Sequence, residues 1–174
     1  LKAYTSGGKV NRLRVDMGKA ILEPKEIPVV LDGDKVVDRP VEIAGKNYNI
    51  TCVSMGNPHC VVFMDDIDNL DIETVGPEFE NDKLFPERVN TEFVTVLDDH
   101  TIKMRVWERG SGETWACGTG ACAVAVAACE NGFCKKGEDI KIKLKGGDLI
   151  INYTDETVYM TGNAEKVFEG EVEV

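Results

Sequence analysis

Apolar and polar residues alternate along most of the chain, which is the two-residue period of a strand whose faces meet different surroundings. Turn-forming sequences such as Asp32-Gly33-Asp34 and Gly146-Gly147-Asp148 separate these runs. The pattern predicts strands at Val10–Val15, Asn49–Ser54, Cys60–Met64, Glu92–Leu97, Thr101–Trp107, Asp139–Leu144, Leu149–Tyr153, Val158–Thr161 and Glu165–Glu169. The chain is therefore predicted to be rich in β-structure.

Two segments have a helical pattern instead. The first begins at Asp68 or Asp71 and ends near Asn81. Its apolar residues recur at helical spacing, and acidic residues occupy its first turn, where the helix dipole favours negative charge. We expect an amphipathic helix at the periphery of the molecule.

The second helix is predicted from about Gly118 to Asn131, and its middle, from Ala121 to Cys129, contains only small or apolar residues. It is too short to span a bilayer, so it should be buried on every side. A helix of small residues among many strands predicts an α+β fold in which a sheet curls around a central helix. We expect one unit over residues 1–174.

Composition narrows the classes of function. A chain of 174 residues that is 43% hydrophobic can bury a substantial core. Its formal net charge of -11 disfavours nucleic acid as a partner, because the protein would repel a phosphate backbone. The sequence contains neither a signal peptide nor an apolar run of membrane-spanning length, so we expect no membrane partner and a cytoplasmic location.

The cysteines do not follow the spacing of a metal site. Six cysteines and two histidines are present, but no pair of cysteines has the C-x-x-C spacing of a structural zinc site. We therefore expect no metal, and reduced thiols are the simplest interpretation.

One cysteine lies where chemistry is favourable. Cys117 directly precedes Gly118-Thr119-Gly120 at the start of the predicted buried helix. Unpaired N–H groups at a helix N-terminus stabilise a thiolate and can also bind a substrate carboxylate. The alternative is a structural cysteine buried beside a tight turn.

Charged residues precede this motif. Glu108-Arg109-Gly110 ends a predicted strand and leads into Ser111-Gly112-Glu113, which we expect to be a flexible loop. An arginine fork binds carboxylates, and a neighbouring glutamate can accept an ammonium group or tune a thiol. A solvated surface pair is the alternative.

Two further turns carry polar candidates. Asn57 precedes Pro58, which favours extended geometry at Asn57, and His59 could modulate a cysteine through its charge. Asn90 stands at the start of a predicted strand. A lone histidine in a turn is more often exposed and idle, and an asparagine there more often ends a turn than binds a ligand.

Together these motifs resemble the diaminopimelate epimerase family. The matching stretches are Gly56-Asn57-Pro58-His59, Pro86-Glu87-Arg88-Val89-Asn90, Glu108-Arg109-Gly110, Ala116-Cys117-Gly118-Thr119-Gly120, Val15-Asp16-Met17-Gly18 and Val167-Phe168-Glu169-Gly170. The resemblance implies a cofactor-independent isomerase of lysine biosynthesis that converts LL-diaminopimelate to meso-diaminopimelate. It also implies a homodimer of chains with two similar lobes, each a sheet curled around a helix, with the active site between the lobes.

The resemblance assigns roles residue by residue. It implies that Cys117 is a catalytic acid/base, that His59 and Glu108 modulate the cysteine pKa, and that Phe168 supports the dimer. The substrate-binding residues that it implies are Asn57, Asn90, Glu108, Arg109, Gly118 and Thr119. Inverting an α-carbon without pyridoxal phosphate requires one acid/base group on each face of that carbon.

The sequence departs from the family in one respect. The family's other catalytic cysteine lies in a Cys-Gly-Asn motif of the first lobe, and these 174 residues contain no such motif. Cys122 lies farther along the same helix and cannot reach the opposite face of a substrate. Together with a chain that opens at Leu1, this predicts a C-terminal lobe that is inactive alone, whose last strand, about 165–174, could belong with the absent N-terminal lobe.

Three alternatives remain open at this point. A proline racemase-like isomerase would share the fold. A cysteine hydrolase could use His59 and Cys117, although Trp115 stands where a caspase-type motif has glutamine. The non-enzymatic alternative is a folded lobe that serves as a binding or structural module and binds diaminopimelate without turnover.

Overall fold

One sheet of 11 strands forms the frame of the protein in a computed structural model, which describes residues 1–173. The strands are β1 (Lys2–Ser6), β2 (Lys9–Asp16), β3 (Arg39–Ile43), β4 (Lys46–Ser54), β5 (Pro58–Phe63), β6 (Asn90–Asp98), β7 (Thr101–Glu108), β8 (Gly112–Thr114), β9 (Asp139–Leu144), β10 (Gly147–Tyr153) and β11 (Val158–Asn163). The helices are α1 (Ile72–Glu80), α2 (Gly118–Glu130) and a short 3-10 helix at Pro24–Glu26.

The sheet order is β1-β2-β11-β10-β9-β7-β6-β5-β4-β3, with β8 paired to β7. Strand pairs are antiparallel except β5 with β6 and β7 with β9. A parallel pair needs a long crossover, and each of these crossovers contains one of the α-helices. The two helices are thus placed by the two parallel pairs.

The predicted strands from Val10–Val15 to Val158–Thr161 are confirmed, with ends shifted by up to three residues. The strand predicted at Glu165–Glu169 is wrong, because residues 164–173 form no strand. Strand β11 already has β2 on one side and β10 on the other, so the segment that follows finds no free neighbour there. Val174, the end of the predicted last strand, lies outside the described residues.

Helix α2 packs against strands β4, β5, β6, β9, β10 and β11. Every residue from Gly120 to Ala128 is buried, as the uniformly apolar sequence predicts. Alanine and cysteine side chains let the strands approach the helix closely, and the surrounding strands contribute branched residues such as Val61, Ile140 and Ile151 to this core. The helix is therefore an internal element of a mostly β-structured molecule.

Helix α1 covers a second core. Asp71 caps its N-terminus by accepting the Thr74 N–H at 3.3 Å. Ile72 and Phe79 are buried and Val75 is partly buried, which confirms the predicted amphipathic pattern. Burying a phenylalanine side chain such as that of Phe79 contributes about 2–3 kcal/mol. No helix within residues 1–173 is both long enough and apolar enough to span a membrane.

Candidate functional site

The site begins at the N-terminus of α2, where Cys117 is the N-cap residue. Its backbone is extended (φ -134°, ψ 109°), and the residue is 6% exposed. The Gly120 N–H donates to the Cys117 Sγ at 3.4 Å, and the Thr119 Oγ1 lies 3.6 Å from the same sulfur. The sulfur therefore occupies the place of a capping oxygen and faces donors of the first helical turn.

Burial decides the protonation of this thiol. Burial is the main cause that raises the pKa of Cys117 to about 12; the negative charge of Glu92 acts in the same direction, and the hydrogen bonds from Thr119 and Gly120 act against both. The donors at the helix N-terminus lower the pKa as expected, but desolvation outweighs them. At neutral pH the chain therefore carries a protonated thiol at this position.

A chain of polar side chains leads away from Cys117 through the turn between β4 and β5. The Asn57 Nδ2 donates to the Thr119 Oγ1 at 3.3 Å, and the Asn57 Oδ1 lies 3.1 Å from the His59 Nε2. His59 is fully buried at the start of β5. The exposed, idle histidine that a turn often carries is thus excluded, and His59 connects to the cysteine through two intervening side chains.

Glu92 ends this chain, and the sequence analysis missed it. Its Oε1 lies 2.7 Å from the His59 Nδ1, and both side chains are fully buried. Burial raises the pKa of Glu92, His59 opposes that shift, and the charge of Glu108 adds to it. A glutamate between Thr91 and Phe93, inside a strand buried on both faces, is the signal that could have identified it.

Asn90 holds the two turns of the site together. Its Nδ2 donates to the Pro58 carbonyl at 2.8 Å, and its Oδ1 accepts the Arg109 N–H at 2.9 Å. The parallel register places His59 opposite Asn90. Both ends of the Asn90 amide are therefore engaged within the protein.

The Glu108-Arg109 pair lies at the end of β7. The Arg109 Nη1 donates to the Glu87 carbonyl at 2.8 Å, and the Thr114 hydroxyl donates to the Glu108 Oε1. Residues 112–114 form strand β8, so the flexible loop expected at Ser111-Gly112-Glu113 is corrected: pairing with β7 orders it.

Glu80 fixes this corner and was also missed by the sequence analysis. It is buried at the end of α1 and accepts the Trp107 Nε1–H at 2.7 Å and the Gly110 N–H at 2.9 Å. Arg88 donates to the same carboxylate at 3.0 Å. The carboxylate thus ties the Glu108-Arg109-Gly110 turn to helix α1.

The remaining cysteines lie apart from the polar chain. Cys122 is fully buried within α2, and Cys52 and Cys60 are register partners in β4 and β5 within the second core. No three potential metal-binding side chains converge anywhere in residues 1–173. Cys117 is the cysteine that the fold brings together with Asn57, His59, Gly118 and Thr119.

Phe168 is not brought to this site. It is 84% exposed in the segment that follows β11. An open groove of about 770 Å³ is lined by the first residues of β2 and by residues 164–166 of this segment. Its lining contains none of the predicted site residues.

The sequence matches the family model described as diaminopimelate epimerase over residues 51–167. The chain belongs to the diaminopimelate epimerase family. The diaminopimelate epimerase of Agathobacter rectalis is 50% identical over all of this chain and 64% of its own length. That of Acetivibrio thermocellus is 52% identical over all of this chain and 62% of its own length. The chain thus spans a little over six tenths of these family members.

Solved structures show the same fold at low sequence identity. A probable proline racemase from Agrobacterium radiobacter aligns with a TM-score of 0.68 and 15% identity, over 92% of this chain and 53% of that one. A hydroxyproline epimerase from Agrobacterium vitis aligns with a TM-score of 0.65 and 13% identity, over 92% of this chain and 52% of that one. Each neighbour is nearly twice as long as the part that this chain matches.

Proposed function

We propose that this chain is the C-terminal lobe of a cofactor-independent epimerase that interconverts LL- and meso-diaminopimelate. The observation that carries the proposal is Cys117 at the buried start of α2, hydrogen-bonded to the first turn and connected through Thr119 to Asn57. Family membership names the substrate class, since the relatives are diaminopimelate epimerases.

In this proposal Cys117 moves the proton on one face of the α-carbon. Gly118 and Thr119 offer N–H groups at the helix start for the substrate carboxylate. Asn57, Asn90, Glu108 and Arg109 would bind the remaining polar groups of the substrate. Since both ends of the Asn90 amide are engaged, its role is to hold the Arg109 backbone and Pro58 in place for the substrate.

The raised pKa gives Cys117 the role of acid. A thiol with a pKa of about 12 is protonated at neutral pH and can donate its proton to a carbanion. The base on the opposite face must then be a second thiolate from residues outside this chain. His59 and Glu108 are proposed to tune the cysteines, His59 through Asn57 and Glu108 through its charge near Glu92.

The wider arrangement is part of the same proposal. The contacts of α2 with strands from β4 to β11 favour a sheet curled around that helix. Phe168 and the exposed segment 165–173 would pack against the N-terminal lobe or a second subunit of a homodimer. The cysteines are free in the described residues, which suits the reducing cytoplasm.

The isolated chain is expected to be inactive, which hydrogen exchange can test. Diaminopimelate in heavy water should gain α-deuterium with inversion when this chain is joined to the N-terminal lobe of a relative, and not with the chain alone. Cys117→Ser in the joined protein should lower the rate by about 10²–10⁴-fold, because it removes the acid/base group.

Cys122→Ala provides the matched control, since Cys122 is buried in the same helix. The control should keep most of the activity. Exchange with inversion by the isolated chain would contradict the two-lobe proposal, and exchange that survives Cys117→Ser would contradict the role of Cys117.

The geometry disfavours a cysteine hydrolase. Such an enzyme needs a histidine nitrogen within hydrogen-bond reach of the thiol. Here Asn57 and Thr119 lie between His59 and Cys117, and both ring nitrogens already have partners. A proline racemase-like substrate remains the second candidate because the solved neighbours share the fold, and a parallel assay with proline separates the two.

A further inference from the structure

We propose that Glu92 is a positioning residue that keeps a hydrogen on the His59 Nε2 and thereby aligns a chain of donors through Asn57 and Thr119 toward the Cys117 sulfur. This proposal rests on the proposed role of Cys117 as the acid/base group. It concerns a side chain that touches neither the sulfur nor a substrate and acts through three others.

The first step is the buried pair itself. Glu92 and His59 are fully buried on neighbouring parallel strands, with 2.7 Å between the Glu92 Oε1 and the His59 Nδ1. The other carboxylate oxygen, Oε2, has no hydrogen-bond partner among residues 1–173. Burying a carboxylate oxygen without a hydrogen-bond partner costs folding free energy. An apolar side chain would therefore be more stable at this position if its role were purely structural.

The second step is the direction of the hydrogen bonds. The Asn57 Oδ1 faces the His59 Nε2, so Nε2 must carry a hydrogen. This holds whether the proton between Nδ1 and Glu92 resides on the ring or on the carboxyl. The Asn57 amide then donates to the Thr119 Oγ1, which leaves the Thr119 hydroxyl hydrogen for the Cys117 sulfur at 3.6 Å.

The third step is the space that brings the carboxylate to the helix start. A Cβ on Gly120 would lie 2.6 Å from the Glu92 Oε1 and 3.1 Å from the Cys117 Sγ. Glycine at position 120 therefore allows the His59–Glu92 pair and the thiol to share one corner of the core.

Charge alone would give Glu92 the opposite effect. A lone carboxylate near the sulfur opposes a thiolate, and Glu108 from β7 acts in the same direction. The Glu92 carboxylate is not isolated, however, because the His59 ring lies 2.7 Å from it. The hydrogen-bond chain that begins at this pair therefore decides the direction of the effect.

The test is the rate at which iodoacetamide alkylates Cys117 in the 174-residue chain between pH 7 and 9, with the modified site assigned by fragment mass spectrometry. Glu92→Met removes the partner of Nδ1 and should slow alkylation about three- to tenfold, the equivalent of one ordinary hydrogen bond. Glu92→Gln can donate to Nδ1 in place of the carboxyl, so its rate should stay within about twofold of the parent. In a Thr119→Val background, Glu92→Met should have no further effect.

Other results would overturn the proposal. If Glu92 acts only as a charge, both Glu92→Met and Glu92→Gln will speed alkylation equally. If it is only structural, Glu92→Met will lower the unfolding midpoint and leave the alkylation rate of the folded chain unchanged.

Ring nitrogen NMR of the unmutated chain requires no variant to fold. His59 should show a protonated Nε2 throughout pH 6–9, with half-exposed His100 as the second ring in the spectrum. An unprotonated Nε2 would reverse the direction of the hydrogen bonds through Asn57 and Thr119 and would overturn the proposal. Neither readout needs turnover, so their outcomes are independent of whether the joined protein epimerises diaminopimelate.

Discussion

Single residues at the start of α2 have functions that their type alone does not reveal. Gly118 and Gly120 flank Thr119 in the same helical turn, yet their surroundings differ. A Cβ on Gly118 would meet only the flexible end of Met160, at 3.2 Å from its sulfur. A Cβ on Gly120 would overlap the buried Glu92 carboxylate. The second glycine is therefore the one that close packing requires.

Gly120→Ala should be more damaging than Gly118→Ala. We expect a loss of about 1–3 kcal/mol in the free energy of unfolding, because the Glu92 carboxylate cannot move aside without leaving His59. Gly118→Ala should change stability by less than about 1 kcal/mol, since alanine also favours the helix. Urea unfolding of the two variants measures the difference, and equal losses would show that the contact with Glu92 is not the cause.

At the scale of elements, the local pattern of apolar and polar residues predicts those helices and strands whose formation depends on local sequence. The buried helix α2 and the central strands follow from uninterrupted apolar runs and regular alternation. Strand β1 was missed because it is almost entirely exposed and carries no alternating apolar face. The strand expected at Glu165–Glu169 fails for a different reason, since its pattern is suitable but β11, the strand before it, already has a neighbour on each side.

The turn between β7 and β8 depends on helix α1 through Glu80. Glu80→Gln should weaken its bonds to Trp107, Gly110 and Arg88, with a loss of about 1–3 kcal/mol in the free energy of unfolding. The Gly110 amide should also exchange with solvent faster. Hydrogen exchange followed by NMR measures this, with Glu78→Gln as the control on the exposed face of the same helix. Unchanged protection of Gly110 would show that the strand pairing alone holds the turn.

At the scale of the molecule, the sequence motifs predict the residues of the candidate site, but the contacts among these residues come from the fold. Asn57, His59 and Cys117 are recognisable from their motifs. Glu92 and Glu80 are not, because each acquires its role from a partner that lies far away in sequence. A parallel strand pair and a crossover helix create these contacts, and no period of local alternation encodes them.

The same dense burial predicts how the whole molecule responds to alkaline pH. Burial raises the pKa of Cys117, Cys122 and Cys129 to about 12 and that of Cys134 to about 11. An unfolded cysteine has a pKa of about 8.5, so above that pH the folded chain holds more protons than the unfolded chain. Their contribution to stability is complete below about pH 8 and is lost as the pH rises toward the folded values.

Each such thiol should lower the free energy of unfolding by up to about 1.4 kcal/mol per pH unit once the unfolded cysteines ionise. Urea unfolding with a reducing agent at pH 7, 8.5 and 9.5 measures the slope before lysines begin to deprotonate. Cys122→Ala removes one buried thiol from a helix already rich in alanine. It should reduce the change in the free energy of unfolding with pH by the contribution of that one thiol. A stability that stays constant to pH 9.5, or a slope that Cys122→Ala leaves unchanged, would mean that the buried thiols ionise in the folded chain as readily as in the unfolded one.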